Sequence, residues 1–383
     1  MEDVKKKLGQ IDTPIHIAQA LLELANPKCD IFYDIGAGKG NLSLPLHELK
    51  GVLIELDPNR YNYLKNFDRK NLQIINQDFL VDELDFFHQS IDKSVLYMSN
   101  PPFNRLNSGY TFKKFNITSP YHQLDLAFLD KVLNIMNSKS SLLFIMASPL
   151  VEFSSFKKIR EVLINEFGYI EVISLEDKIY EDAEVESYAI IAHKIKKHSN
   201  CKLAKMNFEG EIIDEFYISK QEAIESLSFN FHKYKKELFS KIGTTYDPIS
   251  KLIKEIQRGS KTKKFFKDIG IEAIHTTHLN DNKLVLNKRN NVNAKNYNTA
   301  RKNDILISRV GKRSIAKQSL IETGSDYFTD SVIKLTPKAE NDAQLLWDSI
   351  SSEVGKTWRE IYAQGKCAKY LTVESILNIP ITY

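Results

Sequence analysis

The chain has 383 residues, more than one hydrophobic core usually holds, so two domains are expected. Its 42% hydrophobic and 27% charged content is that of an ordinary soluble protein, and no apolar run reaches the roughly 18 residues that span a membrane or forms a secretory h-region, which excludes a membrane protein and makes the cytoplasm the expected location. Residues 1–195 carry 21 Lys and Arg against 27 Asp and Glu, a net −6, whereas residues 196–383 carry 32 against 22, a net +10, so the second half suits a polyanion unless its lysines are merely solvated surface.

In chain order, Ile15 to Leu24 places Ile15, Ala18, Leu21, Leu22 and Ala25 at helical spacing behind Asp12-Thr13-Pro14, a cap-then-proline start. Asp30–Ile35 reads as a strand running into the glycine-rich turn Asp34-Ile35-Gly36-Ala37-Gly38-Lys39-Gly40, and Asn41–Leu49 as a helix after it. Gly51–Leu56, Leu72–Asn76 and Ser94–Ser99 are further strands. Leu124–Met136 is an amphipathic helix, Ser141–Ala147 a strand, Phe156–Glu166 a helix, and Tyr169–Leu175 and Ser187–His193 two more strands. Strands alternating with helices predict an α/β, doubly wound, Rossmann-like sheet. After about residue 196 the alternation fades into Lys- and Asn-rich sequence without internal repeats. The expected division is a catalytic domain over 1–200, a connecting segment over 201–245 and an α+β domain over 246–383. Cys29, Cys201 and Cys367 are far apart and show neither CxxC spacing nor a nearby His pair, so no disulfide frame and no metal site is expected.

A strand, glycine turn and helix serve NAD, FAD and S-adenosylmethionine alike, since glycines let ligand and backbone approach closely at a strand's carboxyl end. The ends of the next strands narrow the choice. Glu55 ends the second strand, where a carboxylate accepts from both ribose hydroxyls; Asp78-Phe79 ends the third, placing a carboxylate for an adenine amino group and an aromatic for its face. Asn100-Pro101-Pro102-Phe103 comes after the fourth. An exocyclic amine on a purine is a feeble nucleophile because its lone pair is spread into the ring. A side-chain amide oxygen on Asn100 and a stiffly held carbonyl on Pro101 can accept both its hydrogens and draw the nitrogen toward tetrahedral geometry, which makes amine methylation the leading reading.

Thr13-Pro14, Asp34-Ile35-Gly36-Ala37-Gly38, Glu55-Leu56-Asp57-Pro58, Gln77-Asp78-Phe79-Leu80 and Asn100-Pro101-Pro102-Phe103 occur in the order and spacing that resembles gamma-class adenine-N6 DNA methyltransferases of the TaqI type, and the resemblance continues from Asp125 to Lys194. The C-terminal part, with Ile256-Gln257-Arg258-Gly259, Asn303 to Gly311 and Ile376 to Ile381, more loosely resembles the target recognition domain of these enzymes and of type I specificity subunits. The resemblance implies that Asp34 and Thr13 face the amino-acid end of S-adenosylmethionine, that Gly36 and Gly38 clear space for it, that Glu55 holds the ribose, and that Asp78 and Phe79 hold the adenine. Asn100 and Pro101 would receive the target amine, with Pro102 completing the motif. Phe103, and Tyr180 as a second aromatic, would stack on an adenine flipped out of the duplex. It also implies double-stranded DNA as the substrate and the role of modification enzyme in a restriction-modification system; a monomer is expected, and since no nuclease motif is recognisable in context, any companion restriction endonuclease would be a separate protein. The turn Gly36-Ala37-Gly38-Lys39-Gly40 departs toward ribosomal RNA adenine dimethylases, which usually carry Leu or Ile in place of Pro101. In the basic half, Arg309, Lys312 and Arg313 follow a strand-like Asp304–Ser308, and Arg258 and Lys261 flank Gly259; these are the expected DNA contacts. Three other readings stand: an RNA adenine-N6 methyltransferase, a protein glutamine-N5 methyltransferase, which shares the Asn-Pro-Pro-aromatic motif, and a non-catalytic recognition subunit. Cytosine-N4 methylation uses related chemistry, more often with Ser first in the motif.

Overall fold

The computed structural model describes residues 11–383 apart from 68, 83–91, 106–109, 117–122, 177–178, 181–185, 196–199, 289–296 and 366–367. The chain divides into two units, Met1–Phe229 and Asn230–Tyr383.

The first unit is built on a nine-stranded sheet. Its strands are β1 (Ile31–Ile35), β2 (Lys50–Ile54), β3 (Leu72–Ile75), β4 (Val95–Ser99), β5 (Ser141–Ala147), β6 (Tyr169–Leu175), β7 (Ser187–His193), β8 (Asn200–Met206) and β9 (Ile212–Ser219), in the spatial order β3-β2-β1-β4-β5-β7-β6-β8-β9. The first five are parallel, and β7 is antiparallel to both its neighbours. The helices are α1 (Ile15–Ala25), α2 (Pro58–Lys65), α3 (Leu124–Ile135), α4 (Ser148–Glu152), α5 (Lys157–Glu166) and α6 (Lys220–Glu225).

Central strands of a parallel sheet are covered on both faces, so they read as nearly continuous apolar runs; Ile-Phe-Tyr-Asp-Ile in β1 and Val-Leu-Tyr-Met-Ser in β4 are buried almost throughout. Alternate residues feed two cores. Tyr33, Ile35 and Tyr97 join Leu129, Val132 and Leu133 of α3, whereas Phe32, Leu96 and Met98 join Ile17, Leu21 and Leu22 of α1. The chain leaves β1 for β2 and β3 on one side and returns to lay β4 on the other, so strand order reverses at β1. Ligands of such sheets bind outside the carboxyl ends of the strands at that reversal. Asp34, Glu55, Asp78 and Asn100 all sit at those ends.

Two expectations change. Residues 41–49 form successive tight turns, with Ser43 and Leu44 N–H both reaching the Gly40 carbonyl, and not a helix. Pro45 is the reason: within a helix it would remove an interior donor and clash with the preceding turn. Nor is 201–245 a connecting segment. Its β8 and β9 complete the first sheet, and Arg160 of α5, fully buried, anchors α6 by donating to the carbonyls of Leu150 (2.9 Å), Phe153 (2.8 Å), Ile224 (3.0 Å) and Glu225 (2.6 Å). Burial lowers its pKa to about 10.

The second unit is α+β. Strands β10 (Ile253–Arg258), β11 (Asn282–Lys288), β12 (Thr299–Arg301), β13 (Ile305–Ser308), β14 (Gln318–Tyr327) and β15 (Val332–Pro337) lie in the order β10-β15-β13-β14-β11, with β12 beside β14; only the β11–β14 pairing is parallel among those described. Helices α7 (Phe229–Ile242), α8 (Lys263–Asp268), α9 (Asp342–Ser351), α10 (Glu353–Tyr362) and α11 (Val373–Leu377) accompany it. Leu238 of α7 packs into a core with Ile305, Ile307, Leu335, Leu346 and Trp358, so this unit begins before residue 246. Among the described residues no helix is long and apolar enough to cross a membrane, and no group of three or more His, Cys, Asp or Glu is placed to hold a metal ion.

Candidate active site

The glycine turn after β1 is folded back on itself. Gly36 and Gly38 have φ of +69° and +62°, a region that favours glycine, and Gly36 and Ala37 N–H both reach the Ile54 carbonyl at 2.9 and 3.0 Å. Space adds a second reason at Gly38, where a Cβ would lie 2.7 Å from Arg60 Nη1. Gly38 N–H donates to Glu55 Oε2 (2.7 Å), and Asp57 N–H donates to Glu55 Oε1 (2.8 Å), so the carboxylate at the end of β2 lies directly on the turn. Burial raises the Glu55 pKa, and these two N–H groups and Arg60 act against that rise. Asp57 in turn caps α2 through Asn59 N–H (2.8 Å), with Pro58 as its first residue.

Asp34, 1% exposed, is the more perturbed group. Its carboxylate accepts from the Ser43 hydroxyl, which the turns of 41–49 bring beneath it. Burial pushes its pKa up to about 7, Ser43 opposes the shift, and the Glu55 charge adds to it. Two carboxylates at one turn, neither bonded to a cation among the described residues, make a place for a positively charged ligand.

Asn100 is fixed by the segment before α1. Its Nδ2 donates to the Ile11 carbonyl (2.9 Å) and to Thr13 Oγ1 (3.0 Å). Between those residues Asp12 pairs with Arg60 (2.7 Å) and Lys39 (3.3 Å), and Asn41 Nδ2 donates to the Thr13 carbonyl (2.7 Å). The tripeptide Ile11-Asp12-Thr13 therefore bonds both to the glycine turn and to Asn100. Sequence reasoning missed Ile11, Asp12, Asn41, Ser43 and Arg60; the adjacency of Asp12 to Thr13 and of Asn41 to Gly40 was the available signal.

The remaining expected residues divide. Asp78 is half-buried and accepts from Leu80 N–H (2.9 Å), closing its own turn with a carboxylate oxygen at the strand end. Phe79 is 3% exposed, against Phe128 with ring centroids 5.2 Å apart and under Lys131, so the structure places it in the core and not as an open face for a base. Pro101 is buried, while Pro102 and Phe103 are half-buried, Phe103 against the α1-side core. Tyr180, expected as a second stacking ring, belongs to that same core at 5% exposure; Ser187 Oγ donates to its hydroxyl (3.2 Å), and burial pushes its pKa up to about 12. Its neighbours Lys178 and Glu181 lie outside the described residues. Cys29 and Cys201 are thiols raised by burial to about 11, and Cys367 is also outside the described residues.

In the second unit, three of the five expected basic residues gather on one loop. Arg258 Nε (2.9 Å) and Arg309 Nε (3.3 Å) both donate to the Asp330 carbonyl, and Asp330 N–H donates to the Lys261 carbonyl (2.8 Å). Gly259 permits this closeness, since a Cβ there would lie 2.1 Å from the Thr329 carbonyl oxygen. Burial first, then the Arg258 charge, lowers the Arg309 pKa. Lys312 and Arg313 are exposed around the turn at Gly311.

No family model matches the sequence, and no curated protein matches it at a significant level. Solved structures do resemble it. A type I restriction-modification system methyltransferase subunit from Streptococcus thermophilus aligns at 18% identity over 61% of this chain and 55% of that one, with TM-score 0.45. The Type ISP restriction-modification enzyme LlaGI, as a nuclease-deletion mutant in complex with a DNA substrate mimic, aligns at 12% identity over 67% and 34%, with TM-score 0.47. The type IIG restriction endonuclease BpuSI aligns at 12% identity over 97% and 59%, with TM-score 0.53. The chain thus spans between 34% and 59% of the length of these proteins. At such identities likeness is of fold alone, and the BpuSI alignment, running through both units, carries it: the chain has a fold similar to part of BpuSI over nearly its whole length.

Proposed function

We propose that the chain is an S-adenosylmethionine-dependent DNA methyltransferase acting on the N6 amine of a flipped-out adenine, the modification enzyme of a restriction-modification system. The observation that carries this reading is the Asn100 amide, whose nitrogen spends its hydrogens on Ile11 and Thr13 and whose oxygen is left as an acceptor at the end of a central strand. S-adenosylmethionine fits the residues beside it: Asp34 and Glu55 are carboxylates at the turn for its cationic end and its ribose, and Gly38 keeps backbone and ligand close. Asp78 would take the adenine amino group; the buried Phe79 would back that site from the core.

When bound, the cofactor supplies a methyl group already activated on a sulfonium, so the protein needs neither a covalent nucleophile nor a metal. Asn100 Oδ1 and the Pro101 carbonyl accept the two hydrogens of the target amine, localise its lone pair, and bind more strongly as the nitrogen becomes cationic. Positioning does the rest. Phe103 offers the ring nearest the motif for the extruded base. The Arg258, Lys261 and Arg309 cluster, with Lys312 and Arg313, would hold DNA phosphates or bases.

The test is transfer of labelled methyl from S-adenosylmethionine to duplex DNA, structured RNA and protein, with the product nucleoside identified by mass spectrometry. N6-methyladenine in duplex DNA, within one sequence context when genomic DNA is sequenced at the single-molecule level, is the expected result. Methyl found only in RNA, on cytosine or on glutamine would replace this reading with the corresponding rival.

A further inference from the structure

We propose that Thr13 is a positioning residue, which, with the Ile11 carbonyl, locks the Asn100 amide in the single orientation that presents Oδ1 to an incoming amine. The inference rests on the methyltransferase reading for the identity of that amine, and on hydrogen-bond geometry alone for the lock.

The two ends of a carboxamide are nearly the same size, and rotation by half a turn exchanges an acceptor for a donor. A donor facing the target amine would oppose the chemistry. A carbonyl oxygen can only accept, so the Ile11 carbonyl, 2.9 Å away, requires Nδ2 on its side; the rotated amide would set Oδ1 against that carbonyl, acceptor to acceptor. The Thr13 hydroxyl, at 3.0 Å, takes the second Nδ2 hydrogen. With both hydrogens committed, the amide has no rotational freedom left, and its oxygen faces away from the two partners.

Such a lock works only if the partner is itself immobile. Thr13 is 3% exposed. Its carbonyl accepts from Asn41 Nδ2, an orientation also dictated by a carbonyl partner. The next residue, Pro14, has φ −57° and stands just before α1 as its cap, with its carbonyl taking the Ala18 N–H at 3.0 Å. Because Asn41 directly follows Gly40, one path of side-chain hydrogen bonds, Asn41 to Thr13 to Asn100, joins the glycine turn to the amide.

T13V keeps the shape and deletes the hydroxyl; T13S keeps the hydroxyl. Two measurements read the result. In protein labelled with 15N-asparagine, the Asn100 side-chain pair, assigned by its loss in N100A, should show two slowly exchanging hydrogens in the wild type and T13S, and one fast one in T13V. The single-turnover methylation rate at saturating S-adenosylmethionine should fall about 10- to 100-fold in T13V, the range for stranding one buried hydrogen-bonding group, and T13S should recover most of the rate. T13A replaces T13V if the latter does not fold. Unchanged exchange in the hydroxyl-free variant, or a loss confined to cofactor affinity, overturns the proposal. If exchange responds as described but the wild type transfers no methyl to DNA, the lock stands and the methyltransferase reading fails.

Discussion

Asp34→Asn tests whether the crevice at the glycine turn receives a cation. Asp34 is buried against the Ser43 hydroxyl and faces Glu55, and burial lifts its pKa to about 7. A ligand ammonium or sulfonium brought beside it favours the carboxylate, so a cationic ligand binds mainly the ionised fraction, which is about one half at pH 7, about one eleventh at pH 6 and about one hundredth at pH 5. Affinity for S-adenosylmethionine therefore rises with pH, about ninefold from pH 5 to 6 and about fivefold from pH 6 to 7, and binding at pH 6 expels about 0.9 proton. Calorimetric titration at pH 5, 6 and 7 in two buffers of different ionisation enthalpy reads both quantities. Asp34→Asn should bind more weakly, release no proton and lose most of the pH slope. Wild-type binding with no proton released at pH 6, or a mutant that keeps the wild-type slope, would refute the assignment of Asp34 to a cationic group.

Asn100→Ala should slow single-turnover methylation about 10²- to 10³-fold, the usual cost of one preorganised transition-state contact, while leaving cofactor affinity within about twofold; a loss seen only in affinity would remove Asn100 from the chemistry. Replacing Arg258 and Arg309 together by Ala should lower the slope of log affinity against log salt for duplex DNA by about 2, or about 1 for each phosphate no longer neutralised, in anisotropy titrations. An unchanged slope would make the pair a purely internal support of the Asp330 loop. Tyr180→Ala should cost about 3–5 kcal/mol of stability in chemical denaturation, as a large core truncation does, whereas Tyr180→Phe loses only the Ser187 hydrogen bond, about 1 kcal/mol. A Tyr180→Ala protein of normal stability that no longer methylates would return the ring to a stacking role.

Much of the first sheet was legible because its central strands are apolar on both faces, a pattern that burial imposes and composition displays. The bounds of β5, β6 and β7 agree with the sequence reading at both ends. β9 was not seen, since Glu215, Tyr217 and Ser219 on its exposed face and the half-buried Asp214 on its other face break up the apolar residues and imitate a polar linker. The turn at 41–49 hid behind helical periodicity, although Pro45 within it carried the warning. The position of carboxylates at strand ends was legible because topology decides where strands end. Ring faces were not: Phe79 and Tyr180 sit at positions where a stacking aromatic would be expected, yet which way a ring turns depends on packing partners such as Phe128 and Lys131, which are about fifty residues from Phe79 along the chain. The Ile11 carbonyl was invisible for another reason, because a main-chain acceptor leaves no mark on side-chain identity.

The four carbonyls around Arg160 determine where the molecule can be divided. A fragment stopped at residue 200 would keep the acceptors at Leu150 and Phe153 and lose those at Ile224 and Glu225, so the guanidinium would no longer tie these elements together. It would also strip β8 from β6, turning a seven-residue apolar strand into a bare sheet edge, the kind of surface through which chains adhere to one another. A first unit meant to survive alone in the test tube has to run to about Phe229, and shorter pieces are expected in the insoluble pellet.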